Sequence, residues 1–223
     1  MTGRPGIAVV DYGMGNRRSV EKALAHVGAR AAVTSDHREL LSAEGLVIPG
    51  VGAFPVAMRN LRRLGLTELI CQRAAAGVPI LGICLGMQLL FDRSQELEPT
   101  DGLGLIAGEV TPLDTQGLRL PHIGWNEVRF ERESPLTARL PAAGCPFYHV
   151  HSLAARPREP GDLVASAQYG ERFATIVEHE LVFGVQFHPE KSSLDGLRML
   201  ESFVELSRNR ARSATDRARS AAA

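Results

Sequence analysis

The chain has 223 residues, of which 44% are hydrophobic and 22% charged, a balance typical of a globular protein with one buried core or two small ones. Its 25 Lys and Arg residues offset 25 Asp and Glu residues, which argues against a general nucleic-acid-binding protein. No apolar run approaches the ~20 residues that span a bilayer, which argues against a membrane protein.

The cellular compartment is indicated by two further features. Residues 1–5 lack the basic-then-apolar layout of a signal peptide. The three cysteines, Cys71, Cys84 and Cys145, are odd in number, and their spacing fits neither a disulfide framework nor a zinc knuckle. We therefore expect a protein of the reducing cytoplasm.

The first half of the chain alternates short apolar runs with amphipathic stretches. Residue 28 is a glycine that would stop the first helix, and the run at 78–83 is apolar throughout, as in a strand buried on both faces. This alternation predicts a largely parallel sheet wrapped by helices. The predicted strands are residues 7–11, 31–34, 45–48 and 78–83, and the predicted helices are residues 18–27, 61–76 and 85–91.

The second half has shorter apolar runs and more turns, which favour antiparallel or mixed strands added to the same sheet. A closing helix is predicted at residues 197–207, and no internal repeat or linker divides the domain that residues 1–207 form. The tail at 208–223 carries five arginines among Ala and Ser, which favours a frayed helix end or disorder over a nucleic-acid-binding arm. The predicted strands are residues 126–130, 147–150, 163–168, 174–178 and 181–186.

One cysteine lies in a pattern typical of a nucleophile. Residues 82–86, Gly-Ile-Cys-Leu-Gly, place Cys84 between a buried strand and a helix, with a glycine two residues away on each side. This is the strand–turn–helix elbow in which a side chain is lifted clear of the sheet, and the N-terminus of the helix favours a thiolate. The backbone N–H of Leu85 faces the same space and can help to hold an oxyanion. Cys71 and Cys145 lack such a setting and are interpreted as structural.

A base for this nucleophile is available further along the chain. An apolar strand ends at residues 188–190, His-Pro-Glu, and Pro189 cannot join a ladder, so His188 should be exposed at the end of the sheet. A carboxylate at Glu190 can accept a hydrogen bond from one imidazole nitrogen and leave the other facing Cys84. The cysteine elbow and the His-Pro-Glu segment together predict a catalytic triad.

Residues 82–88, Gly-Ile-Cys-Leu-Gly-Met-Gln, and 186–190, Gln-Phe-His-Pro-Glu, resemble the two signatures of the class I glutamine amidotransferases. The resemblance implies a flavodoxin-like α/β domain with a mostly parallel, mixed sheet and helices on both faces. It implies the triad Cys84, His188 and Glu190. It also implies an oxyanion loop at residues 49–52, where glycines after a strand permit unusual backbone angles.

Four longer motifs are similar to the glutaminase subunits of imidazole glycerol phosphate synthases, and the similarity extends to about residue 207. They are Asp-Tyr-Gly-Met-Gly-Asn at 11–16, Pro-Gly-Val-Gly-Ala-Phe at 49–54, Pro-His-Ile-Gly-Trp-Asn at 121–126 and His-Pro-Glu-Lys-Ser at 188–192. Anthranilate, carbamoyl-phosphate and GMP synthase glutaminases share the Cys and His motifs but do not usually carry Gly-Trp-Asn and Glu-Lys-Ser. The chain departs from these subunits at His149 and Leu153, where aromatic residues are more frequent.

The resemblance implies that Cys84 attacks the carboxamide carbon of glutamine, leaving a γ-glutamyl thioester and releasing ammonia. Backbone N–H groups near Val51, Gly52 and Leu85 would stabilise the oxyanion. Gln88 lies one helical turn after Cys84 and is expected to bind the amino-acid end of the substrate. The substrate is also expected to contact the backbone of Ser152 and Leu153.

No acceptor domain or phosphate-binding loop is present in the sequence, and Gly13-x-Gly15 lacks the third glycine of a dinucleotide-binding turn at Arg18. We therefore expect no cofactor and no metal.

The ammonia needs a partner that uses it. The resemblance implies a (β/α)8-barrel cyclase that forms a heterodimer with this chain. This cyclase would make imidazole glycerol phosphate and aminoimidazole carboxamide ribotide for histidine biosynthesis. The candidate interface residues are Asn16, Trp125, Asn126 and Lys191.

Other readings of the sequence are a different class I glutaminase of the anthranilate or GMP synthase type, and a regulatory subunit that binds a partner without turnover. A cysteine peptidase or deglycase of similar architecture fits Gln88 and the His-Pro-Glu segment poorly. A metal site formed by His149, His151 and His188 lacks an acidic or cysteine ligand.

Overall fold

The computed structural model of the chain describes residues 6–221, with side-chain surroundings described through residue 216. Six α-helices and thirteen strands follow one another along the described chain, with three short 3-10 helices between them. The helices are α1 (Arg17–His26), α2 (His37–Ser42), α3 (Phe54–Arg63), α4 (Leu66–Ala75), α5 (Leu85–Leu89) and α6 (Ser193–Ala221).

The strands form one sheet of nine strands and one of four. The large sheet has the order β2-β1-β3-β4-β13-β12-β11-β8-β9 and the small sheet has the order β10-β7-β5-β6. The strands are β1 (Gly6–Val10), β2 (Arg30–Thr34), β3 (Gly45–Gly50), β4 (Ile80–Cys84), β5 (Phe91–Ser94), β6 (Thr100–Asp101), β7 (Ile106–Pro112), β8 (His122–Phe130), β9 (Cys145–His151), β10 (Leu153–Pro157), β11 (Leu163–Tyr169), β12 (Glu171–His179) and β13 (Val182–Val185).

The large sheet is parallel from β2 to β13 and antiparallel from β13 to β9. Its faces are covered by different helices because side chains alternate along each strand. On β1, Ile7 and Val9 pack in one core cluster with side chains of α1 and α6. The intervening Ala8 and Val10 pack in a second cluster with side chains of α2, α3, α4 and α5. The predicted α/β architecture, a mixed sheet with helices on both faces, is confirmed.

The five late strands predicted from the sequence all lie in the large sheet, but the four-stranded sheet was not predicted. The helix predicted at 85–91 ends at Leu89, and Phe91 begins β5. The helix predicted at 61–76 is wrong in its bounds, since Gly65, with φ +64°, separates α3 from α4. Helix α2 was missed because it has only six residues, too few to show a period.

The closing helix is longer than predicted. Helix α6 extends to Ala221, so residues 208–221 are helical where the sequence predicted a frayed helix end or disorder. Alanine favours this extension, since it has the highest helix propensity of the residues. Residues 222 and 223 lie outside the described residues. Among the helices of the described chain, none is both apolar enough and long enough to traverse a bilayer.

The parallel part of the large sheet brings several loops to one edge. The carboxyl ends of β1, β3, β4 and β13 lie side by side, and Gly50 at the end of β3 pairs with Cys84 at the end of β4. Ligands of open α/β sheets bind outside this edge. The segments that follow these strands therefore surround a single candidate site.

The turn from β4 into α5 is packed too closely for side chains at its glycines. A Cβ atom at Gly82 would lie 2.5 Å from the carbonyl oxygen of Gly86. One at Gly86 would overlap the carbonyl oxygen of Ile48 on β3. These are backbone atoms, which cannot move aside without shifting a strand or a helix. The glycines therefore allow α5 to begin directly against the sheet.

We expect Gly86→Ala to lower the free energy of unfolding by about 3 kcal/mol or more, because overpacking in a rigid core costs ~1–3 kcal/mol and here the clash is with backbone. Urea unfolding of the wild type and the variant measures this. Gly161→Ala is the matched control, since a Cβ there meets no atom within 4 Å. Equal unfolding free energies for Gly86→Ala and the wild type would contradict the packing argument.

Candidate active site

Cys84 occupies a strained turn at the centre of the site. Its backbone has φ 55° and ψ −111°, in a region that residues with a side chain rarely adopt. The residue is 7% exposed, and its Sγ lies 3.6 Å from the carbonyl oxygen of Val150 on β9. The predicted elbow is therefore present, with a largely buried thiol that faces the second half of the sheet.

The residues predicted to hold an oxyanion lie beside this thiol. Leu85 is the first residue of α5, so its N–H has no partner within the helix. Val51 and Gly52 follow the end of β3, and Gly52 has φ +128°. All three line the same pocket as Cys84.

His188 follows the end of β13 and is paired with a buried carboxylate. Its Nδ1 donates to Oε1 of Glu190 at 2.9 Å, and the side chains are 3% and 0% exposed. The same oxygen accepts a hydrogen bond from Nδ2 of Asn16 at 3.2 Å. With Nδ1 bonded to Glu190, Nε2 is the ring nitrogen that remains for Cys84. The expectation that His188 is exposed at the end of the sheet is wrong, because β9 and the turn at 189–192 enclose it.

Burial lowers the pKa of His188, but hydrogen bonds and negative charge at Cys84 and Glu190 outweigh it and raise that pKa to about 9. The raised pKa favours the imidazolium form of His188, which lies between Cys84 and Glu190. Such an ion can give a proton to a leaving group, which is the task of a general acid.

The His-Pro-Glu segment is anchored to β9 through its backbone. The N–H of His188 donates to the carbonyl oxygen of Tyr148 at 2.9 Å. The hydroxyl of Ser192 donates to the carbonyl oxygen of His188 at 2.7 Å and accepts from the N–H of Tyr148 at 3.0 Å. Ser192, the last residue of the His-Pro-Glu-Lys-Ser motif, therefore fixes the turn that carries the imidazole.

A pocket of about 230 Å³ opens beside Cys84 and His188. The three residues predicted to bind substrate, Gln88, Ser152 and Leu153, all line it. The Gln88 amide donates to the carbonyl oxygen of Leu153 at 3.4 Å. A larger depression of about 720 Å³, lined by residues between 130 and 142, contains no histidine or cysteine and lies apart from this chemistry.

Several residues of the site were not assigned from the sequence. Gln186 is fully buried, accepts from the Gln88 amide at 3.0 Å and donates to Sγ of Cys84 at 3.7 Å. It belongs to the Gln-Phe-His-Pro-Glu motif, which was the available signal. Glu96 lines the pocket and accepts from the N–H of Phe54 at 2.6 Å, so it also holds the start of α3. No sequence signal pointed to Glu96.

Three buried histidines, of which His151 lines the pocket, bond to one another or to neutral groups. His151 donates from Nδ1 to the carbonyl oxygen of Leu153 at 2.8 Å, so its Nε2 accepts from Nδ1 of His122 at 3.0 Å. His149 donates to the carbonyl oxygen of Phe147 at 3.0 Å and accepts from the hydroxyl of Thr175 at 2.9 Å. Burial is the first cause that lowers the pKa of each, to about 4 for His151.

These bonds occupy the ring nitrogens that the proposed metal site of His149, His151 and His188 would need. Within the part of the chain that the structure describes, no group of three or more His, Cys, Asp or Glu side chains is arranged to hold a metal ion.

The four predicted interface residues differ in their surroundings. Trp125 on β8 is 54% exposed, and Ile123, on the same face of that strand, is 58% exposed. Lys191 is exposed at the pocket rim. Asn16 and Asn126 use their amides within the chain, Asn16 on Glu190 and Asn126 on the carbonyl oxygen of Gln168 at 2.9 Å.

Residues 8–206 match the protein family described as "Glutamine amidotransferase class-I". The "Imidazole glycerol phosphate synthase subunit HisH" of Moorella thermoacetica is 49% identical over 203 residues, covering 91% of this chain and 96% of that protein. The protein of the same name from Lactococcus lactis is 45% identical over 200 residues, covering 89% and 98%. The chain belongs to the class-I glutamine amidotransferases, in the group of the HisH subunits.

Solved structures agree on the fold. A GMP synthase subunit of Thermoplasma acidophilum superimposes with a TM-score of 0.72 at 19% identity, covering 97% of this chain and all of that one. PurLQS of Thermotoga maritima gives a TM-score of 0.72 at 21% identity, covering 91% and 99%. At these identities the likeness shows the architecture alone.

The raised pKa of His188 predicts how stability depends on pH. The pair with Cys84 and Glu190 contributes fully below pH 6.5, the usual pKa of histidine, and its contribution is lost as pH rises to about 9. The rise of the pKa from 6.5 to about 9, at ~1.4 kcal/mol per pKa unit, makes this loss on the order of 3 kcal/mol. Urea unfolding of the wild type and His188→Gln at pH 6 and 9.5 measures this loss. The difference in unfolding free energy between the two proteins should be smaller at pH 9.5 than at pH 6. A difference that stays constant between these pH values would refute the ion-pair assignment.

Proposed function

We propose that this chain is the glutaminase subunit of an imidazole glycerol phosphate synthase and that Cys84, His188 and Glu190 are its catalytic triad. The observation that carries the proposal is the thiol of Cys84, held on an elbow beside a buried His188–Glu190 pair and a pocket of substrate size. The class I family and the name of the HisH relatives support it.

In the first half of the reaction, the Cys84 thiolate attacks the carboxamide carbon of glutamine. Negative charge develops on the carbonyl oxygen, and the N–H groups of Val51, Gly52 and Leu85 are the proposed donors that stabilise it. The His188 imidazolium gives its proton to the amide nitrogen, the C–N bond breaks, and ammonia leaves. A γ-glutamyl thioester remains on Cys84.

In the second half, His188 is neutral and accepts a proton from water, which attacks the thioester. The tetrahedral intermediate expels the thiolate, and glutamate is released. Glu190 keeps the proton of His188 on Nδ1 through both halves, and Asn16 supports the carboxylate in this geometry. Neither half needs a cofactor.

We assign the amino-acid end of glutamine to the part of the pocket formed by Gln88, Ser152 and Leu153. Gln88 is 4% exposed and is tied to the carbonyl oxygen of Leu153, so helix α5 and the segment after β9 are held together there. Polar backbone groups in such a pocket can orient a charged ligand while its carboxamide reaches Cys84.

The ammonia would be protonated in open water and lose its nucleophilicity, so delivery to a second active site requires a docked partner. We propose a (β/α)8-barrel cyclase, which forms a heterodimer with this chain and converts the ammonia and a ribulosyl-formimino substrate into imidazole glycerol phosphate and aminoimidazole carboxamide ribotide.

The three cysteines are free in the structure, which supports a reducing compartment such as the cytoplasm.

We place the partner interface on the edge of the sheet that carries the pocket. Trp125 and Ile123 project from β8 as exposed apolar side chains, and an aromatic anchor of this kind is typical of an interface hot spot. Asn16 and Lys191 lie beside the triad, so contacts there would adjoin the reaction centre.

Two other functions fit less well. A glutaminase of the anthranilate or GMP synthase type is one alternative, but the GMP synthase subunit of Thermoplasma acidophilum is 19% identical to this chain, against 45–49% for two HisH subunits. A regulatory protein without turnover would have no need for a strained cysteine opposite a buried imidazolium.

We expect Cys84→Ala to abolish glutamine-dependent synthesis by the complex with the cyclase, because no thioester can form. Synthesis from added ammonia should stay within about twofold of the wild type, since the acceptor chemistry belongs to the partner. Both rates are followed by product formation with saturating acceptor substrate.

Cys71→Ser is the matched control, because Cys71 lies outside the pocket and serine can keep its hydrogen bond to the carbonyl oxygen of Leu103. It should retain both activities. If Cys84→Ala loses the ammonia-dependent reaction as well, the division of labour between the chains is wrong.

The exposed face of β8 generates a second expectation. Trp125→Ala should weaken cyclase binding at least tenfold, because truncation of a central aromatic anchor typically costs about 2 kcal/mol or more. Titration calorimetry of the two chains gives the dissociation constant. Leu41→Ala, an exposed apolar residue on α2 at the opposite edge of the sheet, should leave it unchanged. Equal affinities for Trp125→Ala and Leu41→Ala would place the interface elsewhere.

A further inference from the structure

Tyr12 is a buried polar residue that the reaction scheme leaves unused. It lies in the glycine-rich loop between β1 and α1 and is fully buried. Its hydroxyl donates to the carbonyl oxygen of Pro49 at 2.5 Å. Burial, and then the charge of Cys84, raise the pKa of Tyr12, so the hydroxyl keeps its proton and remains a donor.

The acceptor of this hydrogen bond begins the oxyanion segment, which we define as residues 49–52. Gly50 and Gly52 have no side chains to hold them, and Val51 is 52% exposed. Among the side-chain hydrogen bonds within residues 6–216, the one from Tyr12 is the bond that reaches this segment. Pro49 and Gly50 are buried at the end of β3, whereas Val51 and Gly52 are exposed, so the bond from Tyr12 fixes the segment at the point where it leaves the sheet.

The position of the hydroxyl also ties the segment to the elbow. A Cβ atom at Gly50 would lie 2.6 Å from Cβ of Leu85 and 2.9 Å from the Tyr12 hydroxyl. The hydroxyl therefore lies in the narrow space where the end of β3 meets the start of α5. Any shift of Pro49 away from Tyr12 would change how residues 50–52 face Leu85 and Cys84.

The rest of the loop packs on the same segment. A Cβ atom at Gly15 would lie 3.2 Å from the backbone of Gly50, and the Met14 side chain covers Gly52. Asn16, at the end of the loop, reaches the other half of the site through Glu190. One loop of six residues, 11–16, therefore contacts both the oxyanion segment and the triad carboxylate.

We propose that Tyr12 is a positioning residue of the glutaminase reaction, whose hydroxyl holds the carbonyl of Pro49 and thereby keeps residues 50–52 aligned with Cys84 for oxyanion binding. The inference rests on the proposed function. It assigns Tyr12 no contact with substrate, because its hydroxyl is enclosed by Pro49, Gly50 and Leu85.

Tyr12→Phe removes the hydroxyl and keeps the ring. In the complex with the cyclase and its acceptor ligand, we expect kcat for glutamine hydrolysis to fall about tenfold, because removal of a whole oxyanion donor costs ~10²–10³ and here a donor is displaced. The KM for glutamine should stay within about twofold, since Gln88, Ser152 and Leu153 are untouched.

Alkylation of Cys84 by iodoacetamide separates positioning from general damage. This displacement at a saturated carbon forms no oxyanion, so its rate should be the same in Tyr12→Phe and the wild type. Tyr169→Phe is the matched control, because it also removes one phenol-to-carbonyl hydrogen bond, to Arg119 at 2.8 Å, outside the pocket. Its kcat, KM and alkylation rate should equal those of the wild type, and thermal unfolding of all three proteins reports loss of structure.

Three results would overturn the role of Tyr12 alone. The first is a kcat for Tyr12→Phe within twofold of the wild type. The second is an alkylation rate of Tyr12→Phe that falls by the same factor as its kcat. The third is a kcat of Tyr169→Phe that falls as far as that of Tyr12→Phe. A wild-type complex that does not hydrolyse glutamine would instead overturn the proposed function, and the role of Tyr12 with it.

Discussion

The steric fit of the β4–α5 turn against β3 is the constraint on which the site depends. Cys84 can lift its thiol from the sheet only with a left-handed backbone, and the helix that follows can begin there only because Gly86 passes directly over the backbone of Ile48. The same contact sets the end of β3 beside the end of β4, with Gly50 paired to Cys84. Cys84 and Gly50, the residue before the proposed oxyanion donors Val51 and Gly52, are therefore neighbours as a consequence of strand packing, and their separation cannot change without disturbing the sheet.

Electrostatics is the second constraint, because Cys84, His188 and Glu190 lie together in a buried space and the pKa of His188 is raised there. Buried polar groups need partners, and Oε1 of Glu190 accepts hydrogen bonds from both His188 and Asn16. The backbone of His188 is fixed, since its N–H donates to Tyr148 and its carbonyl accepts from Ser192, and the bond from Nδ1 to Glu190 orients the ring. The orientation of the imidazole therefore depends on the backbone of β9 and on the carboxylate of Glu190.

The parallel half of the sheet, and the proximity of Cys84, His188 and Glu190, could be predicted because both have local signatures. The strand at 78–83 is a continuous apolar run, and Gly82, Cys84 and Gly86 lie at fixed spacing after it. The small sheet and the role of Glu96 have no such signature. Strand β6 has only two residues, and Glu96 reaches the start of α3 across 42 positions of the chain. Contacts of that kind follow from tertiary packing, which periodicity does not report. The contacts of Gln186 were missed for a different reason. The residue belongs to a recognised motif, but only the fold shows that its amide lies between Gln88 and Cys84.

His149 and Leu153, the two positions where aromatic residues were expected, show which part of the pocket depends on side chains. His149 is buried in the core, and both of its nitrogens have partners, Phe147 and Thr175, so burial leaves no polar atom of that ring unpaired. Leu153 acts through its carbonyl oxygen, which accepts from Gln88 and from His151. Any residue type supplies a backbone acceptor. A leucine at position 153 therefore changes the side chain that lines the pocket but keeps the hydrogen bonds from Gln88 and His151. The shape of this end of the pocket therefore depends on the path of the backbone, which the bond from His151 to the carbonyl oxygen of Leu153 helps to maintain.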